Sequence, residues 1–395
     1  MTRLLIVHYA GDYREADRLR REEGRETYYG HGYVLDSLEQ MKAAHGEVAF
    51  LCSLAPSYWE QLANGVTVIG ADANPDRNPA RVIALIERFA PTHLIVNGPM
   101  LPLIRWGLKN DVRLGVVLAD SFANPYYRWI RFRALPRLLN HPRVTLVANH
   151  GVNAARGLVQ LGVDAGKVMA WDFPHPRTPF QFPVKSRRGP APQRLLYVGS
   201  ISRKKGVGDL IRAVGLLDGR RDVRLQIVGA GDTERFVRLA ERLGLSDRID
   251  FVGLVPNDAI PAMMHAADAV IVPSRHSFPE GLPLTLYEGL ASRTPVIASD
   301  HPMFEGHLDH GRSAIVYRAG DPLDLADAID LLFGDAALYA RISAGAHTAW
   351  ERMQVPLKWG EMIDRWVRDA PQDRQWLDAQ TLAASDRGAT GETTS

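Results

Sequence analysis

Two glutamates, Glu280 and Glu288, bracket the junction Glu280-Gly281-Leu282-Pro283-Leu284, which joins an apolar run to an amphipathic one. Where a strand passes through such a turn into a helix, the first helical N–H groups have no intrahelical partner. They lie at the positive end of the helix dipole and suit an anion, a diphosphate being a natural guest. Gly281 lets a ligand approach the backbone closely, and Pro283 suits a first-turn position. Glu280 at the mouth and Glu288 about a turn and a half into the helix can reach different parts of one elongated ligand. Beside a diphosphate they serve better as acceptors for sugar hydroxyls, Glu280 on a transferred hexose and Glu288 on a ribose, than as metal ligands. The plain alternative makes Glu280 a helix cap and Glu288 a solvated acid.

A second strand-to-helix turn, Val198-Gly199-Ser200-Ile201-Ser202-Arg203-Lys204-Lys205-Gly206, supplies cations that can neutralise phosphate, or is a solvated basic turn. A third, Ile227-Val228-Gly229-Ala230-Gly231-Asp232, ends another apolar run in glycines. In open α/β sheets ligands bind at the carboxyl ends of strands, where all three turns fall.

The elements that must position these residues alternate. Leu4 to Val7, Val48 to Cys52, Val66 to Ile69, Leu94 to Val96, Leu114 to Leu118 and Val144 to Ala148 are apolar runs with helical patterns between several of them, the mark of a parallel sheet covered on both faces. Pro174, Pro176, Pro179, Pro183, Pro190 and Pro192 then forbid a helix. From Arg194 the strand–helix rhythm restarts. The expected organisation is a Rossmann-like domain over 1–175 and a linker over 176–193. A second Rossmann-like domain over 194–349 follows, then a helix over 350–370 returning to the first domain and a disordered tail over 371–395.

Composition narrows the classes. A chain of 395 residues, 46% hydrophobic, holds enough apolar material for two cores. The single cysteine, Cys52, excludes an intramolecular disulfide and any multi-cysteine metal site. The apolar run after Met1 is too short for a signal sequence, and no stretch reaches the roughly 18 apolar residues that span a bilayer, so a cytoplasmic protein is expected. A net charge of +2 gives no reason to propose nucleic acid as a partner. No Gly-x-Gly-x-x-Gly follows the first strand, which speaks against a nicotinamide dehydrogenase.

Charge is uneven locally. Between Met100 and Thr145, Arg105, Lys109, Arg113, Arg128, Arg131, Arg133, Arg137 and Arg143 face only Asp111 and Asp120. Around Tyr126 to Arg137 the arginines interleave with aromatics, as on an interfacial helix resting on anionic lipid, or on a solvated face around a packed Trp129. In the same half Gly30 and Gly32 permit close approach of a ligand. Asp120, after the strand ending at Leu118, is a candidate for orienting an acceptor, and His150 could face a cleft.

The order Gly199…Lys205-Gly206, Val228-Gly229…Gly231, Phe251-Val252-Gly253 and Glu280 with seven residues before Glu288 resembles glycosyltransferase family four. The resemblance is specific over 194–320. It implies the GT-B fold: α/β, two Rossmann-like doubly wound domains facing across a cleft. It also implies retaining transfer of a hexose from a nucleoside-diphosphate sugar to a saccharide or lipid-linked saccharide, without metal or other cofactor. Lys205 and a partner arginine would grip the diphosphate, Glu280 would contact the donor sugar, and Phe251 to Val255 would lie beside the base. Gly199, Gly229, Val252, Gly281, Leu282, Pro283, Leu284 and Glu288 complete the implied donor site. The loop Thr27 to Asp36 resembles the family's glycine loop. Two departures stand out: Ser200 replaces the usual arginine, with Arg203 as substitute, and Asp120 stands where many members carry a histidine. A sugar-nucleotide epimerase or a silent nucleotide-sugar-binding protein of the same fold are the alternatives.

Overall fold

The computed structural model describes residues 2–391 other than 27, 29, 123–131, 188, 190 and 191. It divides into two units, Met1–Pro174 with Val355–Ser395, and His175–Gln354.

The first unit runs β1 (Thr2–His8), α1 (Tyr13–Glu23), α2 (His31–His45), β2 (Gly46–Cys52), β3 (Tyr58–Gln61), β4 (Thr67–Gly70), α3 (Pro79–Phe89), β5 (His93–Asn97), α4 (Leu101–Lys109), β6 (Arg113–Leu118), α5 (Leu135–Leu139), β7 (Val144–His150), α6 (Val152–Leu161) and β8 (Val168–Trp171). The sheet order is β3-β4-β2-β1-β5-β6-β7-β8, parallel except for the antiparallel edge strand β3. Leu4, Leu5, Ile6 and Val7 are all buried, as a strand covered on both faces requires.

The second unit holds β9 (Gln193–Val198), α7 (Val207–Leu216), β10 (Val223–Val228), α8 (Thr233–Arg242), β11 (Ile249–Gly253), α9 (Ile260–Ala266), β12 (Ala269–Val272), α10 (Leu284–Ala291), β13 (Val296–Ser299), β14 (Ile315–Tyr317), α11 (Pro322–Gly334) and α12 (Ala336–Met353). Its parallel sheet is ordered β11-β10-β9-β12-β13-β14. The order doubles back at β9 and β12, the kind of reversal at which open α/β sheets leave a ligand crevice.

Three expectations need correction. The proline-rich stretch over 176–193 is no free linker: it belongs to the second unit and makes a 3-10 turn at Pro179–Gln181, and there Arg293 Nε donates to Pro179 O (2.9 Å), the Lys185 amide donates to Ser343 Oγ (2.8 Å) and Lys185 Nζ donates to Thr294 Oγ1 (3.0 Å). Trp350 lies in α12 of the second unit, and the return to the first begins at Val355. There Asp172 N donates to Leu357 O and Trp359 N to Asp172 O, seating α13 (Trp359–Arg368). Trp359 and Trp366 are fully buried, each worth about 5 kcal/mol of apolar burial before entropy is subtracted. The supposed disordered tail folds as α14 (Pro371–Ala379) and α15 (Leu382–Gly391). Its polar composition hides its anchors: Asp373 is buried between Arg365 (3.2 Å) and Arg368 (3.3 Å), and Arg365 stacks over Trp376 (4.1 Å).

Candidate active site

The strand ends of the second unit are zipped together by backbone. Past β9 and β10, Gly199 N donates to Val228 O, Ile201 N to Ala230 O and Asp232 N to Ile201 O, while Gly229 N donates to Gly253 O at the end of β11. A Cβ on Gly229 would stand 1.9 Å from Gly199 O, and one on Gly206 1.9 Å from Pro273 O. Both glycines also hold positive φ, 140° and 76°. Glycine is required here because neighbouring loops touch through main chain. Arg275 N donates to Lys204 O (2.9 Å), so the loops after β9 and β12 are one assembly.

That assembly brings together Lys205 and Glu280, 75 residues apart. Lys205 Nζ lies 2.5 Å from Glu280 Oε1, and Glu280 is only 5% exposed. Buried Ser274 donates from Oγ to the same oxygen (2.6 Å), and its own carbonyl accepts from Ser299 Oγ (2.6 Å). The Phe278 ring lies 4.4 Å from Lys205 Nζ, in cation–π range. His301 fixes the Phe278 carbonyl. Its Nδ1 accepts the Met303 amide (3.2 Å), which leaves Nε2 to donate to Phe278 O (3.1 Å). Burial lowers its imidazole pKa, as suits a neutral ring making both bonds. Burial, with Glu280 close by, pushes the Tyr197 hydroxyl well above its ordinary range, and that hydroxyl donates to Ser200 O (2.7 Å). Sequence reasoning missed Ser274, Phe278 and His301. Ser274 and Phe278 lie inside the quoted motif, but their roles arise only from how the loop folds, and His301 sits on another strand's exit.

Glu288 stands one turn into α10, whose N-cap is Pro283, the residue expected inside the first turn, with no side chain capping its first amides. Leu282 and Pro283 are buried, Gly281 and Leu284 half-buried. Burial pushes the Glu288 carboxyl up to about 7, partly opposed by Arg177. Its buried Oε1 has no hydrogen-bond partner among the described residues. A buried oxygen of this kind awaits a donor, and a ligand hydroxyl would supply one.

Residues 181–348 match the family described as glycosyl transferases group 1. The match lies within the second unit, so over that stretch the chain is similar to group 1 glycosyltransferases. The chain is 31% identical over 154 residues to an alpha-D-kanosaminyltransferase of Streptomyces kanamyceticus, covering 38% of this chain and 39% of that protein. It is 35% identical over 155 residues to a phosphatidyl-myo-inositol mannosyltransferase of Mycobacterium leprae, covering 38% and 40%. The chain thus spans about two fifths of the length of these relatives. Sucrose-phosphate synthase from Thermosynechococcus elongatus superposes with a TM-score of 0.70 at 17% identity, covering 96% of this chain and 100% of that one. HepE of Anabaena, solved in complex with UDP-glucose, does so with a TM-score of 0.65 at 16% identity, covering 93% and 99%. The fold is that of these GT-B glycosyltransferases.

In the second unit Ser200 is exposed and Val252, at the end of β11, is 36% exposed beside Leu254. Arg203 is not bonded to Lys205 or Glu280; it lines a separate cavity with Arg212 of α7, Arg235 and Arg242 of α8, and Arg275. In the first unit the candidate cleft residues serve packing. Gly30 N-caps α2 with a Cβ direction 3.1 Å from the Phe173 ring, and Gly32 lies within α2, facing the Glu26 carboxylate, so the expected glycine loop is a helix start. His150 is 5% exposed, stacked on Trp171 (4.7 Å) and bonded through Nε2 to buried Asp172 Oδ1 (3.0 Å). It is a core residue rather than one on an open face. Asp120 is half-buried, its carbonyl accepting from Asn149 Nδ2 (2.9 Å). Of the basic segment, Arg128 and Arg131 lie outside the described residues, and Arg133 and Arg137 are exposed. Among the described residues no helix is long and apolar enough to cross a membrane.

Proposed function

We propose that the chain transfers a hexose, with retention of configuration, from a nucleoside-diphosphate sugar to a saccharide or lipid-linked saccharide, without a metal. The observation that carries this reading is the Lys205–Glu280 contact beside the uncapped start of α10. Donor entry replaces that contact: Lys205 and the α10 amides take the diphosphate, and Glu280, held by Ser274, takes a hexose hydroxyl. Glu288 takes a ribose hydroxyl through its orphaned oxygen. As the bond from the anomeric carbon to the phosphate oxygen breaks, Lys205 and the helix dipole stabilise the charge left on the diphosphate. The acceptor oxygen attacks the same face, and its proton passes to that phosphate oxygen. The first unit would hold the acceptor, with Asp120 as its candidate orienting residue.

A nucleotide-sugar panel read by thermal shift tests the donor site, because a bound donor raises the melting temperature by mass action. The donor that stabilises the protein should support transfer, with NMR of the product giving the anomeric configuration. Stabilisation by no nucleotide sugar, or inversion at the transferred sugar, would overturn the reading.

A further inference from the structure

Outside the Lys205–Glu280 site, the second unit carries a cavity of about 420 Å³ lined by five guanidinium groups: Arg203, Arg212, Arg235, Arg242 and Arg275. Neither Lys205, Glu280 nor Glu288 lines it. Its one carboxylate, Asp209, is 2% exposed and already taken in bidentate fashion by Arg275 (2.7 and 2.5 Å), with Arg212 at 3.8 Å. Arg235 has only a distant partner, Asp232 at 3.7 Å, and Arg203 and Arg242 have no ion pair among the described residues. Arg235, Leu239 and Arg242 recur at four- and three-residue spacing and so share one face of α8, with buried Phe236 and half-buried Leu239 as an apolar floor beneath the charges. Like charges at this density repel and, when concentrated in a concavity, raise the local concentration of anions. Planar guanidinium forks match phosphate oxygens two at a time.

We infer that this arginine cavity binds a ligand bearing two or more phosphate groups, at a site distinct from the one where Lys205 meets Glu280. The ligand's phosphates can come from a free polyphosphorylated molecule or from an anionic phospholipid headgroup. The inference does not depend on the proposed transfer reaction.

The test is calorimetric titration of the full chain with inorganic tripolyphosphate at low and moderate salt, alongside co-sedimentation with vesicles of phosphatidylglycerol and phosphatidylcholine. Wild-type protein should bind at least one of these probes, more weakly as salt rises. The double variant Arg235→Glu/Arg242→Glu alters exposed side chains only and should weaken that binding at least tenfold, whereas Lys205→Ala retains it. Arg238→Glu, on α8 but not lining the cavity, makes the same two-charge change as Arg242→Glu alone and should weaken binding less than threefold and less than that single variant. Binding of tripolyphosphate alone identifies a free ligand, and binding of vesicles alone a headgroup. Failure of wild-type protein to bind either probe overturns the inference. So does retention of binding by the double variant, or equal loss in Arg238→Glu.

Discussion

The two units share an architecture but use their glycines and histidines differently. In the second, Gly206 and Gly229 let loops meet main chain to main chain, and the assembly presents Lys205 and Glu280 side by side. In the first, Gly30 and Gly32 make room for Phe173 and Glu26, and His150 is consumed by Asp172 and Trp171. A residue type that suggests chemistry is informative only when the fold leaves its reactive atoms within reach of a ligand.

The sharpest way to break the contrast is to remove the charged pair. Glu280→Gln and Lys205→Ala should each lower kcat/KM for transfer by at least about 10²-fold, the scale seen when a single stabilising group is deleted. Lys205→Ala should also cost about 2 kcal/mol of stability, because it leaves the buried Glu280 carboxylate with Ser274 alone. His150→Ala should do the reverse. It removes a buried ring and the partner of Asp172, costing about 2–4 kcal/mol in denaturant unfolding, while donor KM in the folded protein stays unchanged.

A paired glycine test comes next. Gly206→Ala sets a methyl against Pro273 O at positive φ and should cost about 3 kcal/mol. Gly32→Ala meets only the end of the Glu26 side chain, which can swing aside, and should cost less than about 1 kcal/mol, part of it returned as helix propensity. Equal losses would remove the distinction between the units.

A test by pH rather than by kinetics concerns Glu288, whose carboxyl is raised from an ordinary 4.5 to about 7 by burial. Between those values the native state holds the extra proton, so stability falls as pH rises through that window. The loss is on the order of 3 kcal/mol and is complete above about pH 7. Glu288→Gln carries no such proton. Its melting temperature should exceed that of wild type at pH 8 and match it at pH 5; parallel curves would contradict the burial of this group.

Much of this was written in residue types. Apolar runs marked most strands, and the spacing of Lys205, Glu280 and Glu288 singled out the domain that the family match later covered. Other features escaped for physical reasons. The three residues of β14 are too few to show a period, and the antiparallel edge β3 is half exposed, so its pattern carries little apolar signal. Ser274 and His301 work through loop contacts that no local pattern encodes. Residues 371–391 read as disordered because their stability comes from ion pairs and one stacked tryptophan rather than from an apolar stripe.

The chain leaves the first unit at Pro174 and re-enters it at Val355, so the second unit is an uninterrupted insertion in a host made of two separated pieces. Expressed by itself, the stretch 175–354 should fold as a self-contained module. A fragment ending at 174 keeps Thr145 and Tyr33 but lacks Trp359 and Trp366, and with them the indole that donates to Thr145 Oγ1 and the Gly360 amide that donates to the Tyr33 hydroxyl. Supplying 355–395 as a separate peptide should restore that fragment's solubility, so the host can be reassembled by complementation whereas the guest needs none.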